Sequence, residues 1–513
     1  MTAAADPGTS PAAGTGSPAA GTGSPAAGAA SGTGVTGTAE RMAPGSGLVI
    51  GLLLVSAFVV ILNETIMSVA LPRLMEDLQV TTATAQWLTT GFMLTMAVVI
   101  PVTGFLLQRF HIRPLFLTAM SLFSTGTLVA ALAPGFGALL VGRVVQASGT
   151  AIMMPLLFTT VLTLVPASSR GRMMGRISIV IAVAPAIGPT ISGLVLSVLD
   201  WRWMFWLVLP IALVSLALGA ARIRNATTPR PSSLDVPSVM LSALAFGGLL
   251  YGLSSIGEGG GAHVLPLWVP IAVGAAALAV FVRRQLRLAR VDAALLDLRV
   301  FGTRAFAIAV GLVVISMVAL FGSLIVLPLY LQQVLDLSTL STGLLLLPGG
   351  VVMAVLSPVV GGLFDRVGPR PLVTPGVVVV SAALWTLTTL GAGSSPLHVV
   401  AAHVLLSAGL AFVFTPLLTS ALGSLPPRLY SHGSAVVSTV QQLAGGAGTA
   451  LFVTLLSTTT AARLAEGADA VAATADGVRA AFLVGAVLSV VAVGVSLLVR
   501  RPAQQPSPEV VPH

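Results

Sequence analysis

Two charged side chains lie inside long apolar runs of this sequence, and they are its first candidates for chemistry. Glu64 is the one acidic residue well inside such a run, which extends from Gly47 to Pro72, and Arg143 lies inside another. An ionised carboxylate in hydrocarbon costs several kcal/mol unless it faces a wet cavity, finds a partner or carries a proton. Glu64 is therefore the foremost candidate for a residue that binds and releases protons.

The depths of these two side chains indicate that they are partners. At about 1.5 Å per residue, Glu64 lies roughly 25 Å from the start of its run, and Arg143 lies about 9 Å from the start of a run that enters from the other face. Both then lie near the outer third of a bilayer. We expect Glu64 and Arg143 to interact, directly or through water, with protonation of Glu64 weakening their attraction. A permanent buried pair, or an arginine held by backbone carbonyls alone, is the alternative.

A second concentration of charge follows a later apolar run, in the segment GGLFDRVGPRPL. An aspartate at a helix end beside arginines, held by a turn that glycine permits, can form a charge cluster whose pairing differs between two arrangements of helices. A tight turn with solvated charges is the alternative. The residues concerned are Gly361, Leu363, Asp365, Arg366, Gly368 and Arg370. An earlier segment, GFLLQRFHIRP, repeats the pattern in degraded form: it retains Gly104, Leu106, Arg109 and Arg113, with Gln108 for the acid and His111 for the glycine.

These residues must be positioned by membrane helices, because the chain is 56% hydrophobic and only 8% charged, with a mean hydropathy of +1.00. Such a composition is typical of a polytopic membrane protein. Apolar runs of roughly 20 residues can each cross a bilayer as a helix. The runs lie at about 47–70, 86–107, 114–133, 137–160, 175–199, 203–221, 235–255, 265–282, 305–331, 341–363, 371–391, 396–422, 433–458 and 478–499. The sequence therefore predicts an all-α protein with fourteen transmembrane helices.

The distribution of arginine tests that count of spans, because positive charge accumulates in cytoplasmic loops. With the N-terminus inside, 20 of the 25 basic residues, all arginine, fall on the cytoplasmic side, 4 fall outside and Arg143 lies within a span. A missed span would scramble this asymmetry. We therefore expect a multi-pass membrane protein with both termini cytoplasmic.

Several classes of function are disfavoured by composition. Cysteine is absent, which removes disulfides and thiolate chemistry. The six histidines show no spacing typical of metal ligands, so we expect no metal centre and no cofactor. The arginines are spread over short connections without a basic module, so a nucleic-acid partner is not expected. No paired acid and base is evident inside the spans, and no nucleotide-binding loop is present, which disfavours an enzyme and direct ATP drive.

Composition marks a low-complexity tail at 1–45 and a short tail at 501–513; between them lie six spans at 46–221, two spans with a linker at 222–304 and six spans at 305–500. The first tail repeats a GTGSPAA-like unit and is expected to be a disordered cytoplasmic extension. The linker 283–304 is predicted either as an amphipathic helix on the membrane surface or as a charged connection that only fixes orientation. The polar segment 460–477 is predicted to be a mobile loop.

The two copies of the loop signature resemble the major facilitator superfamily, and three further segments resemble its fourteen-span drug:proton antiporter branch. LNETIMSVALP at 62–72 is similar to the first-span motif L-D-x-T-x-x-N-V-A-L-P of that branch, and GRVVQASGTA, with Arg143, Gln146 and Gly149, is similar to its R-x-x-Q-G-x-G element. APAIGPTISG resembles the antiporter motif through Gly188, Pro189 and Gly193. The LNET variant is most similar to lincomycin-resistance-like exporters, and the resemblance covers nearly all of the chain after residue 45.

This resemblance implies a major facilitator fold: two six-helix bundles with two extra helices between them. It implies that spans one and four line the N-terminal half of the cavity, and that a bend in the fifth span seals one end of the pathway. The residues of that bend are Ala184, Pro185, Gly188, Pro189 and Gly193. One departure concerns the first span, where the branch usually carries an aspartate at the position of Asn63 and the acid here has moved to Glu64. One step along a helix rotates a side chain by about 100°, so the two acids need not face the same way.

The polar and aromatic residues of the spans are candidates for a cavity that binds substrate. A mostly apolar cavity with a few hydrogen-bonding groups suits bulky amphiphilic compounds, including cations attracted to aromatic faces. These candidates are Asn63, Gln86, Trp87, Gln146, Tyr251, Phe321, Tyr330, Gln332 and Gln441.

The sequence, with this resemblance, predicts a proton-coupled antiporter that exports bulky amphiphilic drugs or antibiotics by alternating access. The alternative on the same fold is an exporter of one endogenous metabolite, lipid or siderophore. A channel, which would carry flux without a gradient-coupled cycle, and a membrane enzyme are rivals of another class. The expected partners are a small amphiphilic or cationic substrate, protons and the lipid bilayer, with the protein acting as a monomer.

Overall fold

A computed structural model describes residues 46–223, 234–257 and 268–500, with the single residues 225, 229 and 266. The predicted tails at 1–45 and 501–513 lie outside the described residues. Within the described ranges the chain is helical, without β-strands, and fourteen helices are long and apolar enough to cross a membrane. The prediction of an all-α protein with fourteen spans is confirmed.

The helices follow one another along the chain with short connections. They are α1 (Ser46–Leu78), α2 (Thr82–Arg109), α3 (Ile112–Ala131), α4 (Phe136–Leu164), α5 (Arg170–Val198), α6 (Arg202–Arg222), α7 (Val236–Gly257), α8 (Trp268–Leu288), α9 (Arg304–Gln333), α10 (Thr339–Val367), α11 (Arg370–Leu387), α12 (Pro396–Gly423), α13 (Tyr430–Ala465) and α14 (Ala470–Ser496).

The polar segment 460–477 is helical for most of its length, so the prediction of a mobile loop is wrong. α13 continues to Ala465 and α14 begins at Ala470. The alanines of this segment favour helix strongly even where the surface is polar. Gly467 adopts a positive φ of 87°, and the Asp469 side chain accepts a hydrogen bond from the Val471 N–H at 3.1 Å. These two residues confine the break between the helices to a few positions.

The linker between α8 and α9 is not an amphipathic helix on the membrane surface, so that alternative is wrong. It consists of short 3₁₀ turns at Ala289–Val291 and Leu298–Gly302. Asp292 interrupts the helix with a positive φ of 52°, and Leu295 and Leu296 are almost completely buried. The leucines therefore pack into the protein and do not face lipid.

Two groups of six helices pack internally, with two further helices beside them. In the first half, α1 packs on α4, α5 and α6, and α3 packs on α4 and α6; in the second, α9 packs on α12, α13 and α14, and α11 packs on α12 and α14. The halves meet chiefly through α5 with α10 and α2 with α13. α7 packs on α8 and also on α2 and α13, so one extra helix lies across the junction of the halves.

The two ends of the helical bundle need names that do not presuppose their location in a cell. We call the end that carries the connections from α2 to α3, α4 to α5, α10 to α11 and α12 to α13 the basic end, because most of the arginines cluster there. The other end, where α2, α4 and α12 begin, is the opposite end.

Candidate transport site

Arg143 lies at the centre of a polar network inside the first half. Its side chain is only 1% exposed. Nη1 donates to Asn63 Oδ1 at 3.1 Å and to Gln146 Oε1 at 2.8 Å, and Nε donates to the Leu88 carbonyl at 3.5 Å. The guanidinium carbon lies 4.0 Å from the centre of the Phe92 ring, a cation–π contact. α1, α2 and α4 therefore all hold this cation.

Asn63 and Gln146 position the arginine and do not line a cavity, which corrects their prediction as substrate contacts. Both amides are buried, at 3% and 0% exposure. Gln146 Nε2 donates in turn to Thr127 Oγ1 at 2.7 Å, so both ends of its amide are bonded. Their hydrogen-bonding capacity is used inside the protein, and a ligand cannot reach it.

Glu64 is not an ion-pair partner of Arg143 in this structure, so direct pairing is not what holds the arginine. Among the described residues, no ion pair within 4.0 Å includes the Glu64 carboxylate. The two charges attract each other over a longer distance. Asn63, and not Glu64, contacts the guanidinium of Arg143, because the Asn63 side chain points at α4. The one-residue displacement of the acid thus turns its carboxylate away from the guanidinium.

The Glu64 side chain faces the interior of the protein. At about 100° per residue it lies about 180° around α1 from Val55, which is 49% exposed on the outer surface of the bundle. Glu64 itself is half-buried. Since it points away from the lipid-facing side, its accessible part borders interior space. A carboxylate there can exchange protons with water in a way that a fully enclosed ion pair cannot.

The fifth-span motif brings α5 against α1 one residue beyond Glu64. Thr65 Oγ1 donates to the Ala184 carbonyl at 3.4 Å, and a Cβ at Gly188 would overlap Thr65 Oγ1. Ser192 Oγ donates to the Ile66 carbonyl at 3.1 Å, which extends this contact. Gly188 thus permits the close approach of the two helices at this position.

The remaining motif residues have other environments. Nothing lies within 4 Å of a Cβ built on Gly193, so this glycine is not required by packing. Pro185 is half-buried within α5, while the side chain of Pro189 falls outside the described residues. α5 is one continuous helix from Arg170 to Val198. The motif therefore acts in this structure through its α1 contact.

An aromatic pair joins α2 to the extra helix α7. The rings of Trp87 and Tyr251 are stacked, with centroids 5.9 Å apart and planes inclined by 26°. Trp87 is 43% exposed, and Tyr251 and Gln86 are half-buried. The next residue, Leu88, is a partner of Arg143, so this pair lies one helical step from the buried network. Two predicted cavity residues are thus brought together.

The predicted cavity residues of the second half are divided between accessible and buried positions. Phe321, Gln332 and Gln441 are half-buried, and the Phe321 ring packs against Gly445 of α13. Tyr330 is fully buried, and its hydroxyl donates to the Gly391 carbonyl at 2.7 Å. The prediction that Tyr330 lines the cavity is corrected, because this side chain secures the turn between α11 and α12.

At the basic end, Asp365 binds the beginning of α5 across the two halves. Its Oδ1 accepts from the Gly171 N–H at 2.8 Å and its Oδ2 accepts from the Arg172 N–H at 2.9 Å. The partial positive charge of a helix N-terminus stabilises a carboxylate in this position. The expected cluster of Asp365 with arginine side chains is therefore corrected: backbone amides of the other half are its partners.

The other residues of the loop signature support this contact or lie outside it. A Cβ at Gly361 would overlap the Gly171 carbonyl, so only glycine allows α10 this close to α5. Gly368 ends α10 with a positive φ of 81°. The residues Arg109, Arg366 and Arg370 are exposed.

The degraded copy of the signature forms a different contact, with residues that the sequence did not single out. Gln108 lies 2.6 Å from His432 Nε2 on α13, and His432 Nδ1 accepts from the Asp297 N–H of the linker at 3.3 Å. The Gln108 atom at this distance is the amide Nε2, and which group donates depends on the tautomer of the His432 ring. Gly104 lies beside His432 and the Leu295 carbonyl. Arg113 instead donates to the Ala220 carbonyl at 2.8 Å, at the end of α6.

Every hydrogen bond between α1–α6 and α9–α14 that is recorded for the described residues lies toward the basic end. Besides those of Asp365 and Gln108, Thr415 Oγ1 donates to Ser178 Oγ at 2.8 Å and Arg170 Nη1 donates to Tyr430 Oη at 3.2 Å. The two copies of the loop signature singled out Asp365 and Gln108 in the sequence. The others join helices far apart in the chain, which no local pattern reveals.

A groove of about 580 Å³ on the lipid-facing surface lies between α1 and α6 and is not a candidate for the transport site. It is lined almost entirely by apolar side chains, among them Leu48, Leu52, Val55 and Ile211. Leu48, Leu52 and Val55 lie on the face of α1 opposite to Glu64, and Ile211 belongs to α6. The groove therefore has neither the charge nor the location of the polar network.

The extra helices are fastened at the basic end by an ion pair. Arg284 donates to Asp235 at 2.7 Å through Nε and again through Nη2. These hydrogen bonds lower the pKa of Asp235 from 3.8 to about 2, and hydrogen bonds from Ser238 act in the same direction. Asp235 also caps the start of α7 by accepting from the Ser238 N–H at 3.1 Å. α7 is thereby fixed in the position that brings Tyr251 to Trp87.

Comparisons with known proteins agree with this architecture. Residues 53–449 match the model of the Major Facilitator Superfamily. The lincomycin resistance protein LmrB of Listeria monocytogenes is 42% identical over 458 residues, which covers 88% of this chain and 96% of that protein. LmrB of Bacillus subtilis is 39% identical over 406 residues, covering 79% and 84%. A multidrug resistance protein B homolog of Mycobacterium tuberculosis is 30% identical over 423 residues, covering 82% and 77%.

Solved structures support the fold. The human organic anion transporter MFSD10 superimposes with a TM-score of 0.63 at 16% identity, covering 88% of this chain and 100% of that one. The proton:xylose symporter XylE superimposes with a TM-score of 0.61 at 16% identity, covering 89% and 96%. The family match, the relatives and the helical architecture agree, and the chain therefore belongs to the major facilitator superfamily.

Proposed function

We propose that this protein is a proton-driven antiporter that exports bulky amphiphilic compounds, with lincosamides as the first candidates. The names of its relatives supply the substrate class, since lincomycin-resistance and multidrug-resistance proteins are among them. The observation that carries the proton-coupling part is the interior-facing Glu64 carboxylate, half-buried and without an ion-pair partner among the described residues. An ionisable group in the membrane interior is a functional candidate by default.

Glu64 would carry the proton and Arg143 would set the charge of the site. The guanidinium is held by Asn63, Gln146 and Leu88, none of which is anionic. Its positive charge therefore favours an ionised Glu64. When Glu64 takes up a proton, the site gains one net positive charge, which disfavours a cationic substrate. Substrate and proton would thus oppose each other, as an exchanger requires.

The surface for the substrate would be the aromatic pair and the amides beside it. Trp87 exposes almost half of its side chain while stacked on Tyr251. Gln86 and Gln441 add hydrogen-bonding groups, and Phe321 adds another aromatic face. Aromatic faces attract cations and apolar rings, and scattered amides orient polar substituents. A site of this kind suits large amphiphilic compounds better than small polar solutes.

Alternating access would be governed at the basic end, which we assign to the cytoplasm of a bacterial cell because the arginines concentrate there. Both termini would then be cytoplasmic, and the monomer would be the working unit. The Asp365 contact with α5 and the Gln108 contact with His432 would hold this end closed. Opening it would admit substrate, and closing it again would allow release on the other side. The proton gradient would drive the cycle at about 2.3 kcal/mol per charge per 100 mV.

Purified full-length protein in proteoliposomes with an imposed pH gradient tests this proposal. Lincomycin, puromycin and a quaternary cation are added in turn, and substrate-induced proton release is followed with a pH-sensitive dye. The wild type should release protons with at least one probe, and Glu64→Gln should lose this release while it still binds that probe. Glu76→Gln is the matched control on the same helix, since Glu76 is exposed and pairs with Arg73 at the surface.

Three results would contradict the proposal or a part of it. Proton release by Glu64→Gln equal to that of the wild type would remove Glu64 from the coupling. Gradient-driven export of an endogenous metabolite, lipid or siderophore, without a response to any of the probes, would show that the substrate is that compound and not a drug. Identical coupling in Arg143→Ala and the wild type would exclude the electrostatic role of the arginine.

A further inference from the structure

The fourth helix of each half is placed in the same way, which allows their residues to be compared by position. α4 begins at Phe136 and α12 begins at Pro396, both at the opposite end. Counted from these starts, Val141 and Ala401 occupy the same position and both are exposed. Leu139 and Val399 also correspond, and both are fully buried. The lipid-facing and inward-facing sides of the two helices are therefore in register.

This register pairs Arg143 with His403. Each is the eighth residue of its helix, roughly 10 Å from the opposite end at 1.5 Å per residue. Each is the ionisable residue nearest the middle of its helix. At this depth the first half holds Arg143, which is always cationic. The second half holds His403, which is neutral or cationic depending on whether its ring is protonated.

His403 points into the protein. It lies about 160° around α12 from Ala401 and Leu405, which are both exposed. Its ring packs against α10 at Gly349, where a Cβ would overlap Nε2, and it interacts with the backbone of Leu346. Nδ1 is buried and has no hydrogen-bond partner among the described residues. In the neutral tautomer with its hydrogen on Nε2, beside α10, the ring presents the Nδ1 lone pair inside the membrane.

No charged side chain of the described helices that pack on α12 lies at the depth of His403. The charges of α10, α9, α11 and α5 are at the basic end, at Asp365, Arg366, Arg304, Arg370, Arg170, Arg172 and Arg176. On α13, His432 also lies at the basic end, and Arg463 lies near the other terminus of that helix. Tyr330 of α9 is bonded to the Gly391 carbonyl, and His398 of α12 lies beside Thr389. A proton on His403 would thus add an unbalanced charge.

We propose that His403 is a second proton-binding site of the transport cycle, located in the second half at the depth of Arg143. This inference rests on the proposed function. A proton taken up from water adds to the Nδ1 lone pair, gives an imidazolium and leaves again as the same proton, so no other reactant is required. With His403 protonated, both halves carry a positive charge at equal depth, and a cationic substrate is disfavoured from both sides. Glu64 and His403 then respond together to the pH at the opposite end.

The first test measures protonation directly, in substrate-free, full-length protein labelled with ¹⁵N in its histidine rings. The His403 signal is assigned by its loss in His403→Gln, or in His403→Asn if the first variant does not fold. We expect this ring to pass from neutral to imidazolium between about pH 8 and pH 4, and lincomycin to shift the transition. A ring that stays neutral throughout this range overturns the proposal.

The second test separates proton coupling from folding and substrate binding. Counterflow of lincomycin without a pH gradient requires substrate exchange alone, and His403→Gln should retain it within about twofold. Its gradient-driven transport should lose the dependence on pH that the wild type shows. His398→Gln, at a half-buried histidine near the start of the same helix, should keep the wild-type profile. An unchanged pH profile in His403→Gln overturns the proposal, whereas failure of the proposed function itself would appear as absent proton release in the wild type.

Discussion

The substitution Asp365→Asn should weaken the closure of the basic end without a change in side-chain volume. The carboxylate accepts two backbone N–H groups at the start of α5, at 2.8 and 2.9 Å. Asparagine retains one acceptor oxygen and loses the charge that the helix N-terminus stabilises. Hydrogen bonds to a charged group contribute about 1.5 to 3 kcal/mol each. Loss of one of them should raise the open fraction of the basic end by about 10- to 150-fold.

Ser178 provides the reporter for this opening. It is 2% exposed, and its hydroxyl accepts from Thr415 across the two halves. The chain has no cysteine, so Ser178→Cys introduces one thiol that a maleimide can reach only when the halves separate. Detergent-solubilised protein is labelled over time, and the rate should follow the open fraction while opening is fast and infrequent.

Three versions of this reporter protein separate the explanations. Asp365→Asn should be labelled about 10- to 150-fold faster than the parent, and Arg366→Gln should match the parent because the Arg366 side chain is exposed. Equal labelling of the parent and Asp365→Asn would refute the reasoning. Equal acceleration by both substitutions would show that the charge of the loop, and not the contact with α5, controls opening.

Three further perturbations follow from the structure. Gly188→Val should overlap α1 and cost about 1 to 3 kcal/mol, read as a lower Tm in detergent. Arg284 holds the pKa of Asp235 at about 2, so their pair stabilises the fold above about pH 4 and is lost as the pH falls toward 2. Asp235→Asn should therefore lower Tm at pH 7 but not near pH 2. Because the Arg284 side chain is 38% exposed, solvent screening limits the stabilisation by this pair to about 1 kcal/mol. Gln108→Leu should leave His432 without its partner, at about 1 to 3 kcal/mol, and speed trypsin cleavage of the linker 289–303 at least about fivefold.

Each of these expectations has a result that contradicts it. Gly193→Val is the control for the fifth helix, because nothing lies near a Cβ there, and an equal loss of Tm in both glycine variants would refute the α1 contact as the cause. For Asp235→Asn, an equal loss at both pH values would exclude the ion pair. For Gln108→Leu, cleavage of the linker at the parental rate would show that His432 does not hold it.

The sequence by itself determined the class of protein and the number of helices. Runs of about 20 apolar residues cannot remain in water, and the bilayer sets their length, so the fourteen spans follow from hydropathy alone. The two intramembrane charges also stand out in the sequence, because each is costly in hydrocarbon. Their depths match, and it was the resemblance to the major facilitator fold that implied a common position for spans one and four, which pack on each other in the structure.

Helix rotation and long-range contacts were decided by the tertiary structure. The depth of a side chain in the membrane follows from its place along one helix, whereas its partner depends on how that helix is rotated against its neighbours. The packing of α1 on α4 and α5 makes Asn63 the partner of Arg143. The same reason explains Asp365, whose partners are backbone amides of the other half and have no residue signature. Tyr330 was placed in the cavity by its type, yet its neighbour at Gly391 buries it. Hydrophobicity thus specifies where helices lie along the chain, and packing between distant segments specifies which faces meet.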